Sequence, residues 1–208
     1  MPDNTSRDAL LSGYRRFRDD RWPEERAEYE ALAAGQTPHT LVVACSDSRA
    51  DPALIFDAAP GELFVVRNVA KLVPPYQPDG QLHGVSAALE FGVRVLEVSR
   101  IVVMGHAYCG GVHAMLNGAP DTCGDFVAPW VAQATPVVRL ICESFPAEET
   151  ERLAEETVVR LSLENLRTFP WIAERERAGD LTLVGLHFGI ADGVLTALNG
   201  PGRFEPLG

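Results

Sequence analysis

The stretch Thr-Leu-Val-Val-Ala-Cys, residues 40–45, is a short apolar run rich in β-branched residues. Runs of this kind are typical of strands that lie buried on both faces of a parallel sheet. Three similar runs follow at 62–68, 100–106 and 181–188, and segments with helical patterns separate them. Because strands that alternate with helices form parallel sheets, we predict an α/β fold with a mostly parallel, four-stranded sheet flanked by helices.

The two ends of the chain extend this core. Residues 1–34 are predicted to form an N-terminal helical arm, because apolar and aromatic residues recur along them from residue 5 onward. Near the C-terminus, Asp192-Gly193 is a turn signal before 194–198, which predicts an added antiparallel edge strand. The sequence contains neither an internal repeat nor an interdomain linker, so we predict a single domain over 1–208.

The composition argues against several classes of protein. The formal net charge is −11, which opposes binding to phosphate backbones and anionic membranes, so neither nucleic acid nor a membrane is expected as a partner. No run approaches the roughly 18 apolar residues of a membrane span, and the N-terminus lacks a secretory signal, so a cytoplasmic location is predicted. The four cysteines are too few for a disulfide scaffold and would be free to bind metal.

Three residues are candidate metal ligands. Cys45 and His106 end two of the predicted strands, and ligands of open α/β sheets bind beyond the carboxyl ends of the strands. Cys109 follows His106 with H-x-x-C spacing. Zinc prefers thiolate and imidazole ligands, and three protein ligands plus water make a catalytic site. The pattern alone leaves open that Cys45 is an inert buried thiol.

Two charged residues follow Cys45 directly. If the alternation of the first strand persists, Asp47 and Arg49 point to the same side as Cys45. A carboxylate beside zinc can ligate the metal or accept a hydrogen bond from its water, and an arginine can hold that carboxylate off the metal in a bidentate pair. The alternative is a surface ion pair of little consequence, which does not account for the position of both residues at the mouth of the strand.

These motifs together resemble the signature of the β-class carbonic anhydrases. Cys45-Ser-Asp47-Ser-Arg49 stands sixty-one positions before His106-x-x-Cys109-Gly110-Gly111. The likeness is strong over about 35–112 and runs through several shorter stretches, namely 61–70, 72–76, 87–91 and 101–106. The plant-like branch is the most similar, because of Leu-Val-Pro-Pro-Tyr at 72–76.

The resemblance implies zinc-dependent, reversible hydration of carbon dioxide to bicarbonate and a proton by attack of zinc hydroxide. It assigns zinc to Cys45, His106 and Cys109, and an orienting role to Asp47 and Arg49. It also implies a homodimer, possibly paired into a tetramer, in which the N-terminal arm wraps the partner and the substrate cleft lies at the interface. We further expect Asp47 to compete with hydroxide for the fourth zinc position, so that falling pH favours an inactive form.

Further positions match the substrate cleft of that branch: Gln36, Phe64, Val69, Phe91 and Gly110. The resemblance implies that Gln36 offers its amide to substrate and that the apolar side chains form a wall. Phe91 stands where the branch has tyrosine, so a hydroxyl is missing from the cleft. Val42 stands where another branch has the tryptophan of a regulatory bicarbonate pocket, so that pocket is not expected.

Two other functions stay open at this point. The same attack would suit a linear analogue of carbon dioxide, such as carbonyl sulfide or carbon disulfide, since the sequence does not show the shape of the cleft. A non-catalytic zinc or redox-sensing protein of the same fold would have a saturated metal site, and the Asp47–Arg49 pair argues against it. The histidines that could export a proton are His39, His83 and His113, and the sequence does not choose among them.

Overall fold

The N-terminal unit, residues 1–37, is helical from Arg7 to Leu32 in its described part. The computed structural model describes residues 7–200 and 202–207 of the chain, so the first part of the predicted arm lies outside the described residues. Helix α1 (Arg7–Arg16) continues through a π-helical segment (Phe17–Arg21) into α2 (Trp22–Leu32). Pro23 lies in the first turn of α2, where the π-helical segment gives way to the α-helix.

Aromatic packing holds this unit together locally. The rings of Phe17, Trp22 and Tyr29 contact one another, with centroids 5.0 to 6.2 Å apart. These three rings come from the π-helical segment and from α2, so they fix the bend between the two. The helical arm is confirmed, and its wrapping of a partner stays a prediction.

A six-stranded sheet forms the centre of the second unit, residues 38–208, within the part of the chain that the structure describes. Its strands are β1 (Thr40–Cys45), β2 (Leu63–Asn68), β3 (Arg100–His106), β4 (Thr182–Phe188), β5 (Leu195–Asn199) and β6 (Arg203–Pro206). They lie in the order β2-β1-β3-β4-β5-β6, with β1 to β4 parallel and β5 and β6 antiparallel. The predicted α/β class, parallel core and antiparallel edge strand are confirmed, while β6 was not expected.

Helices connect these strands and cover the sheet. They are α3 (Pro52–Ile55), α4 (Gly84–Glu90), α5 (Gly110–Asn117), α6 (Val127–Ala132), α7 (Thr135–Cys142), α8 (Ala147–Arg167) and α9 (Pro170–Ala178). A π-helical segment (Phe91–Val95) prolongs α4, and a short 3₁₀ turn (Val69–Lys71) follows β2. No helix among the described residues is both long enough and apolar enough to cross a membrane.

The central strands alternate their side chains between two apolar layers, as a period of two requires. Leu41 and Val43 of β1 belong to the layer that α4, α8 and α9 supply, whereas Val42 and Ala44 face the opposite layer. All four side chains are fully buried, which explains why β1 has an uninterrupted apolar sequence. Since β1 and β3 pair in parallel, their carboxyl ends meet at one edge of the sheet, where Cys45 and His106 lie.

Candidate metal centre

Three donor atoms converge at the carboxyl ends of β1 and β3. The ligand atoms of Cys45, His106 and Cys109 all lie within 4.8 Å of one another. Cys45 ends β1, His106 ends β3, and Cys109 precedes the first residue of α5. The three side chains are 6%, 0% and 2% exposed, so the cluster is shielded from bulk water.

The ring of His106 is oriented by its own loop. Its Nδ1 lies 2.9 Å from the carbonyl oxygen of Ala107, so Nδ1–H donates there and leaves Nε2 with a free lone pair. The Nε2 atom is buried and has no hydrogen-bond partner within residues 7–200 and 202–207. A buried acceptor without a partner is rare, and a metal ion would satisfy it.

The two sulfurs fit the same metal. They lie 3.9 Å apart, and two thiolates at about 2.3 Å from a tetrahedral zinc would be about 3.8 Å apart. The hydrogen bond between the two sulfurs lowers the pKa of Cys109 while it raises the pKa of Cys45. Two thiolates and one imidazole form a zinc donor set, and a tetrahedral ion would keep one position for water or substrate.

Asp47 lies beside this cluster and is held by Arg49. The Arg49 Nε donates to Asp47 Oδ1 at 2.9 Å and Nη2 donates to Oδ2 at 2.8 Å, a bidentate pair. The guanidinium holds the pKa of the Asp47 carboxyl well below its usual range, mainly through these hydrogen bonds. Asp47 Oδ2 is 3.9 Å from His106 Nε2, so the carboxylate faces the metal ligands.

The prediction that strand alternation positions Asp47 and Arg49 is wrong. Strand β1 ends at Cys45, and Asp47 and Arg49 follow in a turn, so strand alternation does not place them. The backbone N–H of Arg49 donates to Asp47 Oδ1, and the N–H of Ala50 donates to the Asp47 carbonyl, which closes the turn. This local geometry, typical of an aspartate at the start of a turn, aims both side chains toward the cluster.

The loop that carries Cys109 has an unusual backbone. Tyr108 has φ +57°, a left-handed conformation that is uncommon outside glycine and asparagine. Its carbonyl oxygen accepts a hydrogen bond from Arg49 Nη2 at 3.1 Å, so the same guanidinium supports both Asp47 and the loop. Arg49 therefore joins the two halves of the metal centre.

Arg67 is a site residue that sequence reasoning missed. At the end of β2, its Nε donates to the carbonyl oxygen of Cys45, and its Nη2 donates to that of Asp47. Its Nη1 pairs with Asp51, which caps α3. Arg67 thus fixes the backbone on both sides of the first ligand. An arginine near the end of a buried strand was the one sequence signal for this role.

Glu155 and His187 form a buried pair that supports Cys109, and sequence reasoning also missed this pair. Glu155 of α8 accepts the backbone N–H of Cys109 at 3.1 Å through Oε1, and its Oε2 lies 2.9 Å from His187 Nε2. Both side chains are largely buried. Because Glu155 and Cys109 are 46 positions apart, no sequence pattern links them.

The predicted substrate residues fall into separate places. Val69 and Gly110 lie at the metal end of the sheet, where Val69 packs beside Cys45 and Cys109. The rings of Phe64 and Phe91 stack on each other, with centroids 5.9 Å apart. Phe64 pairs with Leu41, four residues before Cys45, so it lies about 13 Å from the metal end at roughly 3.3 Å per residue. Gln36 belongs to the N-terminal unit, and its contact with substrate stays a prediction.

The three histidines that were candidates for proton export lie in different parts of the structure. His39 immediately precedes β1 and lies at the end of the sheet opposite to Cys45. His83 pairs with Asp79 at 2.7 Å. His113 lines a cavity of about 200 Å³ together with Cys109, Gly110 and Glu155. Of the three histidines, His113 is the one that shares a cavity with a metal ligand.

The fold and the site define an α/β metalloenzyme with a cysteine–histidine–cysteine centre. A family model for carbonic anhydrase matches residues 40–195. The chain is 38% identical over 198 residues to a carbonic anhydrase from Pseudomonas aeruginosa (93% of this chain, 88% of that protein). It is 36% identical over 192 residues to the β carbonic anhydrase 3 of Arabidopsis thaliana (88% and 73%).

Solved structures agree with these sequence comparisons. The β-carbonic anhydrase CcaA superimposes with a TM-score of 0.87 at 31% identity, covering 97% of this chain and 92% of that one. A tetrameric β-carbonic anhydrase from Sordaria macrospora gives a TM-score of 0.79 at 27% identity, covering 94% and 96%. The chain belongs to the β-class carbonic anhydrases.

Proposed function

We propose that this protein catalyses the zinc-dependent, reversible hydration of carbon dioxide to bicarbonate and a proton. The observation that carries the proposal is the convergence of Cys45, His106 and Cys109 in a chain of this family. These three side chains would hold the zinc ion. When bound, zinc acts as a Lewis acid and makes water a nucleophile near neutral pH.

Asp47 and Arg49 would prepare the attack. The Asp47 carboxylate faces the ligands through Oδ2 and stays charged, so it can accept a hydrogen bond from the attacking water and orient its oxygen. Arg49 occupies both carboxylate oxygens, which keeps Asp47 from turning onto the metal. We therefore assign orientation of the water, through an accepted hydrogen bond, to Asp47, and positioning of Asp47 to Arg49.

His113 is our candidate for export of the proton. It is exposed on α5, one helical turn after Cys109, and its Nδ1 lies 3.4 Å from Glu151. The His113 side chain is 63% exposed and lines the cavity that also contains Cys109, so it can relay a proton between this cavity and solvent. His113→Ala should lower turnover in weak buffer, and added imidazole should restore it.

The activity is tested directly by stopped-flow measurement of carbon dioxide hydration. Zinc-loaded protein should hydrate carbon dioxide, and Cys45→Ser should not, because one thiolate ligand is lost. Carbonyl sulfide and carbon disulfide serve as competing substrates in the same assay. Faster turnover of either analogue than of carbon dioxide would refute the proposed substrate.

We also propose that the active site is completed by a second copy of this chain. Phe64 and Phe91 form an apolar pair that lies about 13 Å from the metal end of their own sheet, and Phe91 is 44% exposed. Carbon dioxide is apolar and needs such a wall. The Sordaria macrospora relative is a tetramer, and we propose a homodimer here with possible pairing into tetramers.

Mixed dimers test this arrangement. Cys45→Ser removes the metal but keeps the aromatic pair, whereas Phe64→Ala keeps the metal but opens the wall. If the wall comes from the partner, a heterodimer has one intact site, so co-refolded variants should regain activity above the mean of the two parents. Activity equal to that mean would show that each chain works alone.

A cytoplasmic location completes the proposal. Thiolate ligands need a reducing compartment, and free Cys45 and Cys109 fit the cytoplasm better than an oxidising space. Fractionation of cells that express the tagged protein tests this location, and recovery from an oxidising compartment would contradict it.

A further inference from the structure

The chain contains a single lysine, Lys71, and that lysine is fully buried. Its Nζ atom has no hydrogen-bond partner among residues 7–200 and 202–207. Burying a charged ammonium group is costly unless another charge compensates it. Lysine is almost never fully buried without such a partner, so the surroundings of Lys71 call for a physical explanation.

The side chain of Lys71 reaches β3, the strand that ends with the ligand His106. Ala70 and Lys71 have φ values of +66° and +50°, so the chain turns sharply after β2 and directs Lys71 inward. Its Cε would lie 3.4 Å from a Cβ atom placed on Gly105, the residue that precedes His106. Gly105 thus leaves room for the lysine side chain one residue before His106.

The charge of Lys71 acts on one of the metal ligands. The hydrogen bond with Cys45 is the main cause that lowers the pKa of Cys109, and the charge of Lys71 adds to it. Glu155 is a buried carboxylate beside Cys109, and it is hydrogen-bonded to the Cys109 N–H and to His187. Glu155 and the two cysteines are therefore the buried acidic groups around Lys71, and the cysteines are the ones that would hold the metal.

The net charge of the metal ion and its protein ligands defines a role for Lys71. Two thiolates cancel the double charge of a zinc ion, so the protein ligands and the metal together are neutral. Any anion that joins them makes the centre negative within a buried environment. A fixed positive charge behind the ligands offsets that excess.

We propose that Lys71 is the buried counter-charge of the metal centre and that it strengthens the binding of monovalent anions there. This inference shares one premise with the proposed function, namely that Cys45, His106 and Cys109 hold a metal ion. Lys71 does not touch the substrate, and it acts through the ligands. Bicarbonate, the product of the proposed reaction, belongs to this class of anions.

Cobalt substitution makes anion binding visible without an activity assay. Thiocyanate is titrated into cobalt-loaded native protein and Lys71→Met, and its dissociation constant is read from the visible absorption of the metal. Methionine nearly matches the shape of lysine without its charge, and we expect thiocyanate to bind roughly tenfold more weakly. The melting temperature should not fall, because an apolar side chain suits this buried position. Equal affinity in the two proteins would overturn the proposal.

A matched control removes a positive charge elsewhere. Arg177 lies exposed in α9, and Arg177→Met should leave thiocyanate binding unchanged. If it weakens binding as much as Lys71→Met does, the effect is one of net charge and the proposal fails. Loss of carbon dioxide hydration in native protein would refute the proposed function, yet the thiocyanate titrations would still decide the role of Lys71.

The charge of Lys71 can also be observed in the native protein. Because the chain has one lysine, selective ¹⁵Nζ and ¹³Cε labelling of lysine gives one assignable side-chain signal. We expect chemical shifts of an ammonium group in the zinc-loaded protein at neutral pH. Shifts of a neutral amine would overturn the proposal, whatever the variants show.

Discussion

Arg49 holds both carboxylate oxygens of Asp47, at 2.9 Å from Nε and 2.8 Å from Nη2. The same guanidinium reaches the carbonyl oxygen of Tyr108 in the loop that carries Cys109. A carboxylate bound on both oxygens is not free to rotate onto a metal held by His106, whose Nε2 lies 3.9 Å from Asp47 Oδ2. We therefore expect this one ion pair to decide the balance between a working and a blocked metal centre.

Arg49→Ala should release Asp47 toward the zinc ion. We expect turnover to fall by about 100-fold, because the carboxylate then competes with water for the fourth position. Zinc-edge absorption spectroscopy at neutral pH should show an added oxygen ligand from a carboxylate. An unchanged first shell together with low activity would contradict this account of Arg49.

Asp47→Asn should have a smaller effect. The amide keeps the shape of the side chain but accepts hydrogen bonds less strongly and carries no charge, so we expect roughly a tenfold loss of turnover. The zinc content should stay at that of the native protein, since Asp47 is not among the three ligands. Metal analysis after dialysis provides this measurement, and loss of zinc would show that Asp47 is a ligand.

The pH dependence of stability should reveal the Asp47–Arg49 pair. The guanidinium lowers the pKa of Asp47 in the folded protein below the value of about 3.9 in the unfolded chain. The stabilisation is therefore complete above the unfolded pKa and is lost as the pH falls through the folded pKa. The Arg49→Ala variant lacks this stabilisation at every pH.

Thermal unfolding of the metal-free native protein and of metal-free Arg49→Ala measures this effect. The difference in melting temperature between them should be constant from pH 7 to about pH 5 and should shrink below about pH 4. Both side chains are partly exposed, so the difference should be small. A difference that grows in acid would mean that the pKa of Asp47 is raised.

Sequence reasoning succeeded where the signal was local. The apolar runs of β1 and β3 predicted both strands to the residue, and the H-x-x-C spacing predicted the loop between His106 and Cys109. Strand β6 was missed, because its four residues are largely exposed and include Pro206, so they carry no apolar pattern. Local patterning thus predicts the buried part of the sheet better than its edge.

The rest of the site could not be predicted, because distant segments build it. Arg67 reaches back 22 positions to the carbonyl of Cys45, and Glu155 reaches 46 positions back to Cys109. Lys71 and Gly105 are far apart along the chain, and the fold brings their side-chain positions together. Such contacts depend on how strands and helices pack, which a single sequence does not show.

Removal of zinc should weaken the protein without unfolding it. The apolar layer around Leu41, Val103 and Leu163 lies apart from the metal ligands, and a chain of this size buries about 70% of its surface on folding. A metal present at 1,000 times its dissociation constant stabilises the native state by about 4 kcal/mol, which corresponds to a melting temperature roughly 10 °C higher.

Circular dichroism of chelator-treated protein tests this expectation. The far-ultraviolet spectrum should be retained, the melting temperature should fall by about 10 °C, and added zinc should restore it. Cys45→Ser is the matched control, since it should melt like the metal-free protein with or without added zinc. Complete unfolding on chelation would show that the metal, rather than the apolar core, holds the fold.

Gly111→Ala should destabilise the protein through the contact between α5 and the turn after β2. A Cβ atom at Gly111 would lie 2.8 Å from both Ala70 Cβ and Val69 Cγ1 and 3.1 Å from the Ala70 backbone nitrogen, so the turn would have to move. Overpacking of this kind costs about 1–3 kcal/mol. Gly110→Ala is the matched control, because a Cβ there meets nothing within 4 Å. Urea unfolding should give a loss of stability for Gly111→Ala alone, and equal losses in the two variants would mean that helix entry, rather than this close approach, requires glycine.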